Sequence, residues 1–584
     1  MKSVLKKRNE FNQTNRNGLA NLFRSSNANY TGADLFFKTL LDCGVDTIFG
    51  YPGGKVLSLY DRMLEYQGIN HILVNHEQGA THAAEGYARV TGKPGVVLTT
   101  SGPGATNTVT GIADAFMDSI PIVVFTGQVE IPLIGKNAFQ ESNIVEITRP
   151  ITKWNCQVRS IDLLESTIKK ALQVAVEGKP GPVLVDIPKD IFIDECPVVP
   201  GLNDEGKSVI GTPFETKQTY LKAAELIKKA KRPVLYVGGG VISGGASSEL
   251  RAFALNNNIP VTTTLMGLGA FPETHELSLG MLGMHGTWYA NMAVQECDVL
   301  IAVGARFDDR VTSDVDGFSP HSKKIHIDID SESINRNVIV DVPINDYVKQ
   351  ALQQLSELVK MESKPSWLKT IQQWKSNHPL KYQFDDTVIK PQLVIEKISE
   401  LTDSDATVVT DVGQHQMWAA QYYSFKRPRQ FVTSGGLGTM GFGLPAAIGA
   451  SLADPDSTVV CICGDGGFRM TSAELATAVS YQLPIKIIVF NNGSLGMVRQ
   501  WQSFYFKDRF SHTMLHDSNP DFQKLAECYG AMALRASKTE ELDFVLAKAL
   551  SINDRPVLVE CLIDPGENVL PMVSPGAALH NMIE

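Results

Sequence analysis

The sequence predicts an α/β protein of three doubly wound domains, each built around a parallel sheet. Three observations lead there. With 584 residues the chain has material for about three or four domains of ordinary size. Short β-branched runs alternate with helical stretches throughout, the pattern of parallel sheets. One succession of helix, strand, glycine turn, helix and strand occurs twice, the mark of an internal duplication.

In chain order, residues 1–29 carry six Lys or Arg, one Glu and seven Asn without an apolar core. That composition excludes a secretory signal and reads as a disordered tail, an organelle transit peptide being the alternative. Residues 30–191 are expected to form the first domain. Strands at 46–49 and 72–74 lead into Gly50-Tyr51-Pro52-Gly53-Gly54 and Asn75-His76-Glu77, and a small-residue helix spans 79–90. A strand at 95–99 then runs into Ser101-Gly102-Pro103-Gly104-Ala105-Thr106-Asn107, followed by a strand at 122–125. After a polar linker, 192–216, comes a central domain, 217–360. Its first strand meets Gly238-Gly239-Gly240. Others are expected at 260–264, at 299–303 ahead of Gly304-Ala305-Arg306-Phe307-Asp308-Asp309-Arg310, and at 325–330 with an acidic end. A glycine turn after a strand suits a dinucleotide, although the usual Gly-x-Gly-x-x-Gly is missing. A second linker, 361–390, leads to the last domain, 391–563. A tail, 564–584, follows, and its 572–584 portion is expected to cover the site when ligand is present.

The last domain repeats the first. Helix 444–453, strand 458–462, the turn at Gly464 and the strand after Pro484 match helix residues 83–88, strand 96–99, the turn at Gly102 and the strand after Pro121. Gly86 and Gly102 are 16 positions apart and Gly449 and Gly464 are 15; Pro103 and Pro121 are 18 apart and Asp465 and Pro484 are 19. Two copies of one sheet with different residues in their turns suggest a divided task.

Composition narrows the function classes. A content of 43% apolar and 20% charged residues is that of a soluble globular protein, and a net charge of −10 without a basic stripe beyond the first residues argues against nucleic acid. The longest uncharged run, 430–453, holds six glycines and Pro445, which fits a close-packed turn entering a buried helix and not a membrane span. Eight cysteines without a Cys-x-x-Cys pair suit a reducing cytoplasm.

The chemistry concentrates at 459–492. A β-branched run breaks into Gly464-Asp465-Gly466-Gly467, and Thr471-x-x-Glu474 has the form of a helix capping box. A second buried strand, 485–490, ends in Asn491-Asn492. Asp465 and Asn492 are 27 positions apart, yet each follows the carboxyl end of a strand, where neighbouring parallel strands bring their loops together. Two oxygen ligands beside a helix N-terminus suit a diphosphate held through Mg²⁺, which takes one or two protein oxygens along with phosphates. A Walker-type lysine is absent.

This order of strand, Gly-Asp-Gly, helix, strand and Asn-Asn resembles the cofactor-anchoring motif of the thiamine diphosphate (ThDP) enzymes. Among them the chain is similar, over 31–584, to the biosynthetic, FAD-containing acetohydroxyacid (acetolactate) synthases. The matching stretches are Phe49-Gly50-Tyr51-Pro52-Gly53-Gly54, His76-Glu77-Gln78-Gly79-Ala80, Ala138-Phe139-Gln140-Glu141, Ile187-Pro188-Lys189-Asp190, Gly413-Gln414-His415-Gln416-Met417-Trp418, Gly438-Thr439-Met440-Gly441-Phe442-Gly443 and Gly496-Met497-Val498-Arg499-Gln500-Trp501-Gln502.

The resemblance implies a ThDP-dependent transferase that decarboxylates pyruvate and adds the hydroxyethyl carbanion to a second pyruvate or to 2-ketobutyrate. Glu77 would be the carboxylate that favours the imino form of the pyrimidine, acting across a homodimer or tetramer interface on cofactor held by the partner's last domain. Asp465, Asn492 and the carbonyl of Ser494 would hold Mg²⁺. Met440 would sit under the bend of the cofactor, with Gly53, Pro103, Asn107, Gly413, Gln414, His415, Gly438, Gly464, Gly466, Gly467, Met470 and Met497 around it. For the acceptor ketoacid the resemblance gives Phe139, Gln140, Lys189, Met284, Arg310 and Trp501, the last a wall that could prefer an extra methylene. Taken alone, Arg310 also suits a loop cap and Trp501 a core position.

A structural FAD would lie along Lys179, Gly238, Gly239, Gly240, Thr264, Leu265, Met266, Gly283, Met284, His285, Gly286, Gly304, Arg306, Asp308, Arg310, Asp328 and Asp346. Lys179 stands where relatives often carry arginine, and Lys55 where they usually carry a small apolar residue; ammonium for guanidinium gives up a planar fork. A small valine-binding regulatory subunit is the usual partner, and neither nucleic acid nor membrane is expected. The rivals are a flavin-free catabolic acetolactate synthase, a pyruvate oxidase or decarboxylase of the same architecture, and a catalytically silent nucleotide-binding regulator.

Overall fold

The computed structural model describes residues 30–196 and 215–584. The expected tail at 1–29 and most of the 192–216 linker lie outside them. Among the described residues three six-stranded sheets form, and every pairing within them is parallel. The first contains β1 (Thr47–Gly50), β2 (Asn70–Leu73), β3 (Gly95–Thr99), β4 (Ile122–Gln128), β5 (Trp154–Gln157) and β6 (Val183–Pro188), in the order β2-β1-β3-β4-β6-β5.

The central sheet has β7 (Pro233–Val237), β8 (Val261–Thr263), β9 (Ser278–Met281), β10 (Val299–Val303), β11 (Lys323–Asp328) and β12 (Val342–Asn345), ordered β9-β8-β7-β10-β11-β12. The last has β13 (Thr407–Thr410), β14 (Phe431–Val432), β15 (Val459–Gly464), β16 (Lys486–Asn491), β17 (Met532–Ala536) and β18 (Val557–Leu562), ordered β14-β13-β15-β16-β18-β17.

Counted within its own domain, the outer pair share one order, 2-1-3-4-6-5, as a duplication requires. The central sheet has 3-2-1-4-5-6, the dinucleotide-binding order, so its topology supplies what its glycine spacing lacked. Strands such as Gly95–Thr99 and Val299–Val303 are buried along their whole length, which is why they read as unbroken apolar runs.

The two copies also meet. Helix α1 (Glu77–Thr91) of the first domain lies against helix α2 (Gly443–Ala453) of the last, and both are almost wholly buried. A methyl group on Gly86 would come within 2.0 Å of the Ala446 carbonyl oxygen, and one on Gly449 within 1.8 Å of the Ala83 carbonyl oxygen. The contact is reciprocal. Each glycine sits three residues after the alanine that the other touches, as a local twofold axis between duplicated helices demands. The 430–453 run is, as its glycines suggested, a turn entering buried α2, and no described helix is long and apolar enough to cross a membrane.

Two connecting stretches are more structured than their composition suggested. Within 361–390 a helix, Pro365–Asn377, buries Trp367 and Ile371, and the Trp367 indole donates to the Pro233 carbonyl. After 564 the chain forms a small antiparallel hairpin, Met572–Val573 with Met582–Ile583, whose Val573 and Leu579 join the central domain's core.

Candidate functional site

The Gly-Asp-Gly turn is built as expected up to its helix. Strand β15 ends at Gly464, and α3 (Asp465–Thr471) starts on the carboxylate itself, with Gly464 in extended backbone as its cap. The expected capping box at Thr471 and Glu474 does not form, because the helix has already begun six residues earlier. The Thr471 hydroxyl donates to the Gly441 carbonyl, and Glu474 turns away to the first domain.

Asp465 is 1% exposed and forms no ion pair among the described residues. Its oxygens accept from the Gly466 N–H at 3.0 Å and the Asn519 amide at 2.7 Å. Burial pushes its carboxyl up to about 6. Asn492 follows β16, and its side-chain oxygen accepts from the Ser494 N–H at 3.0 Å. Both residues, with Ser494, line a cavity of about 60 Å³ that Gly413, Gln414, His415, Met440, Gly464, Gly466, Gly467 and Met497 complete. His415 is buried, its ring held neutral by a pKa lowered to about 4, and its Nε2 has no partner. A buried carboxylate without a cation, an amide oxygen and backbone N–H groups at a helix start form a donor set that fits Mg²⁺ and a diphosphate.

Sequence reasoning missed Asp411. Fully buried at the end of β13, it accepts the N–H groups of Val412, Gly441 and Gly443 at 2.8 to 3.1 Å and so fixes the loop carrying Met440. Its position after a β-branched strand, like that of Asp465, was the available signal.

A second cavity, about 930 Å³, opens between the three domains and shares Val412, Met497 and Val498 with the first. It is lined by the residues assigned to FAD except Gly283, Gly286 and Asp346; Gly438 and Trp501 also face it. Asp346 is instead buried and accepts from the Tyr220 hydroxyl at 2.7 Å. The turns at Gly238 and Gly304 abut: a methyl on Gly238 would come within 2.2 Å of the Gly304 carbonyl oxygen. The Tyr236 hydroxyl and His285 Nδ1 are buried beside the cavity without partners, groups that a flavin's polar edge would satisfy. Lys179 pairs with Asp330 at 2.7 Å, and the Arg310 backbone N–H, not its guanidinium, meets Asp308. Arg89, Met117 and Arg429 also line this cavity. Coming from the outer domains, they were invisible to motif reading.

Met470, expected around the cofactor, is exposed and lines neither cavity, and the remaining site residues belong to the first domain. The Asn107 amide donates to Glu77 Oε2 at 2.9 Å, and Gly104 stands so close that a methyl there would lie 3.3 Å from Oε1. Gln140 has a left-handed backbone (φ +61°), and Phe139 is 84% exposed. Neither cavity is lined by Gly53, Glu77, Pro103, Asn107, Phe139, Gln140 or Lys189.

Comparison with known proteins matches three families in order: the thiamine pyrophosphate enzyme N-terminal TPP binding domain over residues 30–147, the central domain over 221–355 and the C-terminal TPP binding domain over 411–561. Over 563 residues the chain is 46% identical to the acetolactate synthase isozyme 3 large subunit of Escherichia coli K12, covering 94% of this chain and 98% of that one. It is 47% identical to the acetolactate synthase large subunit of Lactococcus lactis (95% and 96% covered) and 46% identical to that of Haemophilus influenzae (95% and 98%). The chain belongs to the acetolactate synthase large subunits. The cofactors of this family are ThDP with Mg²⁺ and FAD; the smaller cavity suits Mg²⁺ and the diphosphate end, the larger the flavin. Within one chain Glu77 thus lines neither the cavity of the metal-type cradle nor the larger one.

Proposed function

We propose that the chain is the catalytic subunit of an acetolactate synthase. It decarboxylates pyruvate and joins the remaining two-carbon unit to a second pyruvate, giving 2-acetolactate, or to 2-ketobutyrate, giving 2-aceto-2-hydroxybutyrate, the first common step toward valine, leucine and isoleucine. The observation that carries this reading is the convergence of buried, cation-free Asp465 with Asn492 and Ser494 in one small cavity at the start of α3. There Asp465, Asn492 and the Ser494 carbonyl would hold Mg²⁺, and Met440 would support the bent cofactor. Bound ThDP supplies a carbon nucleophile able to take up and pass on an acyl unit.

Glu77 is the activating carboxylate. Asn107 occupies its Oε2, which leaves Oε1 to hold the proton shared with the pyrimidine ring. Lys189 and Arg310 are cationic partners for ketoacid carboxylates, Gln140 and Phe139 complete the pocket, and Met284 and Trp501 line the same cavity as Arg310. Trp501 favours the ethyl group of 2-ketobutyrate, a methylene contributing about 1 to 3 kcal/mol. The reaction moves no net electrons, so FAD is structural. Because Glu77 lines neither cavity of its own chain, the reading includes a homodimer, or a tetramer of two such dimers, in which each site takes one half from each chain. A small regulatory subunit and a cytoplasmic setting belong to it as well; eight unpaired cysteines suit the latter.

The test is incubation with pyruvate, with and without 2-ketobutyrate, omitting ThDP, Mg²⁺ and FAD in turn. Acetolactate is expected, with loss of activity on each omission. Acetaldehyde or peroxide as the product would overturn the assignment.

A further inference from the structure

Three charged side chains meet at the carboxyl edge of the first sheet. Lys55 follows β1, Glu130 follows β4 and Lys189 follows β6 directly. The Lys55 ammonium lies 3.0 Å from Glu130 Oε2, and the Lys189 ammonium 3.5 Å from Glu130 Oε1. One glutamate is therefore shared by two lysines, and only the contact to Lys55 is a hydrogen bond.

The trio is rooted in rigid elements. The Lys55 backbone N–H donates to the Thr100 hydroxyl, its Cβ packs where a side chain on Gly127 would stand, and the Ile131 N–H beside Glu130 donates to Asp190 at 3.0 Å. Glu130's own backbone N–H and then Lys55 hold its carboxyl below the usual range, so it is ionised at neutral pH. Side-chain exposures of 19% for Lys55, 31% for Glu130 and 37% for Lys189 leave the lysine at the end of β6 the most open to an incoming anion. Two ammonium groups and one carboxylate sum to a single positive charge, the complement of a monocarboxylate.

We propose that Lys55 is a positioning residue for 2-keto monocarboxylate binding: by engaging Glu130 it keeps the Lys189 ammonium available for the carboxylate of the substrate. The inference rests on the reading of Lys189 as a ketoacid partner. Without Lys55, Glu130 has one cation left within reach. It closes on Lys189, and an arriving ketoacid must then displace an internal carboxylate that is already paired.

The experiment uses the full-length holoenzyme carrying Lys55→Met, which keeps the aliphatic stem, or Lys55→Ala, each alone and together with Glu130→Gln. Steady-state KM and kcat for pyruvate are measured, and pyruvate is titrated calorimetrically into the same variants in a Glu77→Gln background, where turnover is blocked. The single Lys55 variants should raise KM and Kd roughly threefold to tenfold, the span expected of a partly exposed charge interaction, with kcat within about twofold. Adding Glu130→Gln should bring both constants back to near the parent value. Unchanged affinity in Lys55→Met protein that keeps its flavin and thermal stability overturns the proposal. So does a loss that is equally large with and without Glu130. Failure of the unmodified chain to make acetolactate would count against the proposed function instead, and the calorimetric series would still decide the role of Lys55.

Discussion

Glu474 Oε1 accepts the backbone N–H of His76 at 3.0 Å. The same carboxylate accepts the N–H of Asn75, so a residue of the last domain caps the helix whose first residue is Glu77. Its fit is close, since a methyl on Gly79 would come within 2.3 Å of it. Glu474→Ala should remove the acceptor shared by the Asn75 and His76 N–H groups and loosen the placement of Glu77. The expected result is a fall in kcat with flavin content retained, partly recovered in Glu474→Gln, which keeps one acceptor oxygen. Equal kcat in all three proteins would sink this role.

That Glu77 does not line the cavity of the Asp465 cradle makes a stricter prediction about the assembly. Glu77→Gln and Asp465→Asn chains should each be inactive, whereas hetero-assemblies formed by co-expressing them should recover part of the activity, because one of the two sites then draws both intact halves. Continued inactivity of purified mixed assemblies would place both halves of each site on one chain.

Gly86 and Gly449 face carbonyl oxygens of the opposite helix, and backbone there cannot yield as a flexible side chain does. Gly86→Ala and Gly449→Ala should each destabilise by about 3 kcal/mol or more, at or beyond the upper end of ordinary overpacking. Soluble yield and apparent Tm are the readouts, and a shift of less than a degree in either variant would contradict the close approach.

Those two glycines also mark how far the sequence could be read. Their spacings to Gly102 and Gly464 disclosed the duplication, because a repeated fold keeps its turn-to-helix distances. That the two copies would pack on each other through these same positions was not legible, since spacing carries no information on contact. Glu474 misled for a related reason. Thr471-x-x-Glu474 has the local pattern of a cap, but the partners of Glu474 are backbone groups 398 and 399 positions away. Asp411 shows the same limit: its acceptor role joins it to a loop 30 residues on, and no short motif announces that. The central sheet's dinucleotide order likewise follows from pairing and could not be inferred once the glycine fingerprint failed.

The contact of Gly238 with the Gly304 turn gives a prediction for the flavin. Gly304 has φ +57°, a left-handed conformation, and a methyl there would meet the Gly240 Cα at 2.8 Å. Gly304→Ala should purify with reduced visible flavin absorbance per protein and an apparent Tm that rises steeply on adding FAD. Full flavin occupancy in that variant would argue against these turns forming the binding edge.

Where α1 meets the loop after β14, a buried group of charges makes stability depend on pH. Glu85 hydrogen-bonds the ring of His82 at 3.0 Å, Arg89 pairs with Asp118 at 2.8 Å and lies 3.5 Å from Glu85, and Asp114 accepts from Ser434 at 2.6 Å. Burial pushes the Glu85 carboxyl up to about 8, raises that of Asp114 too, and lowers the pKa of His82. The folded chain therefore holds protons on Glu85 and Asp114 that the unfolded chain releases above about pH 4.5, whereas the lowered pKa of His82 acts with the opposite sign, against the folded state at low pH. The stabilisation contributed by Glu85 is complete below about pH 4.5 and is lost as pH rises toward and through 8, at up to roughly 1.4 kcal/mol per pH unit for one proton. Glu85→Gln keeps the shape of the side chain and removes one titration. Its apparent Tm, followed from pH 6 to 9 at a fixed scan rate, should fall less than that of the unmodified chain, by about 2 to 4 °C for each kcal/mol relieved. Parallel Tm profiles would mean that Glu85 is already ionised in the folded protein, with Arg89 supplying its countercharge.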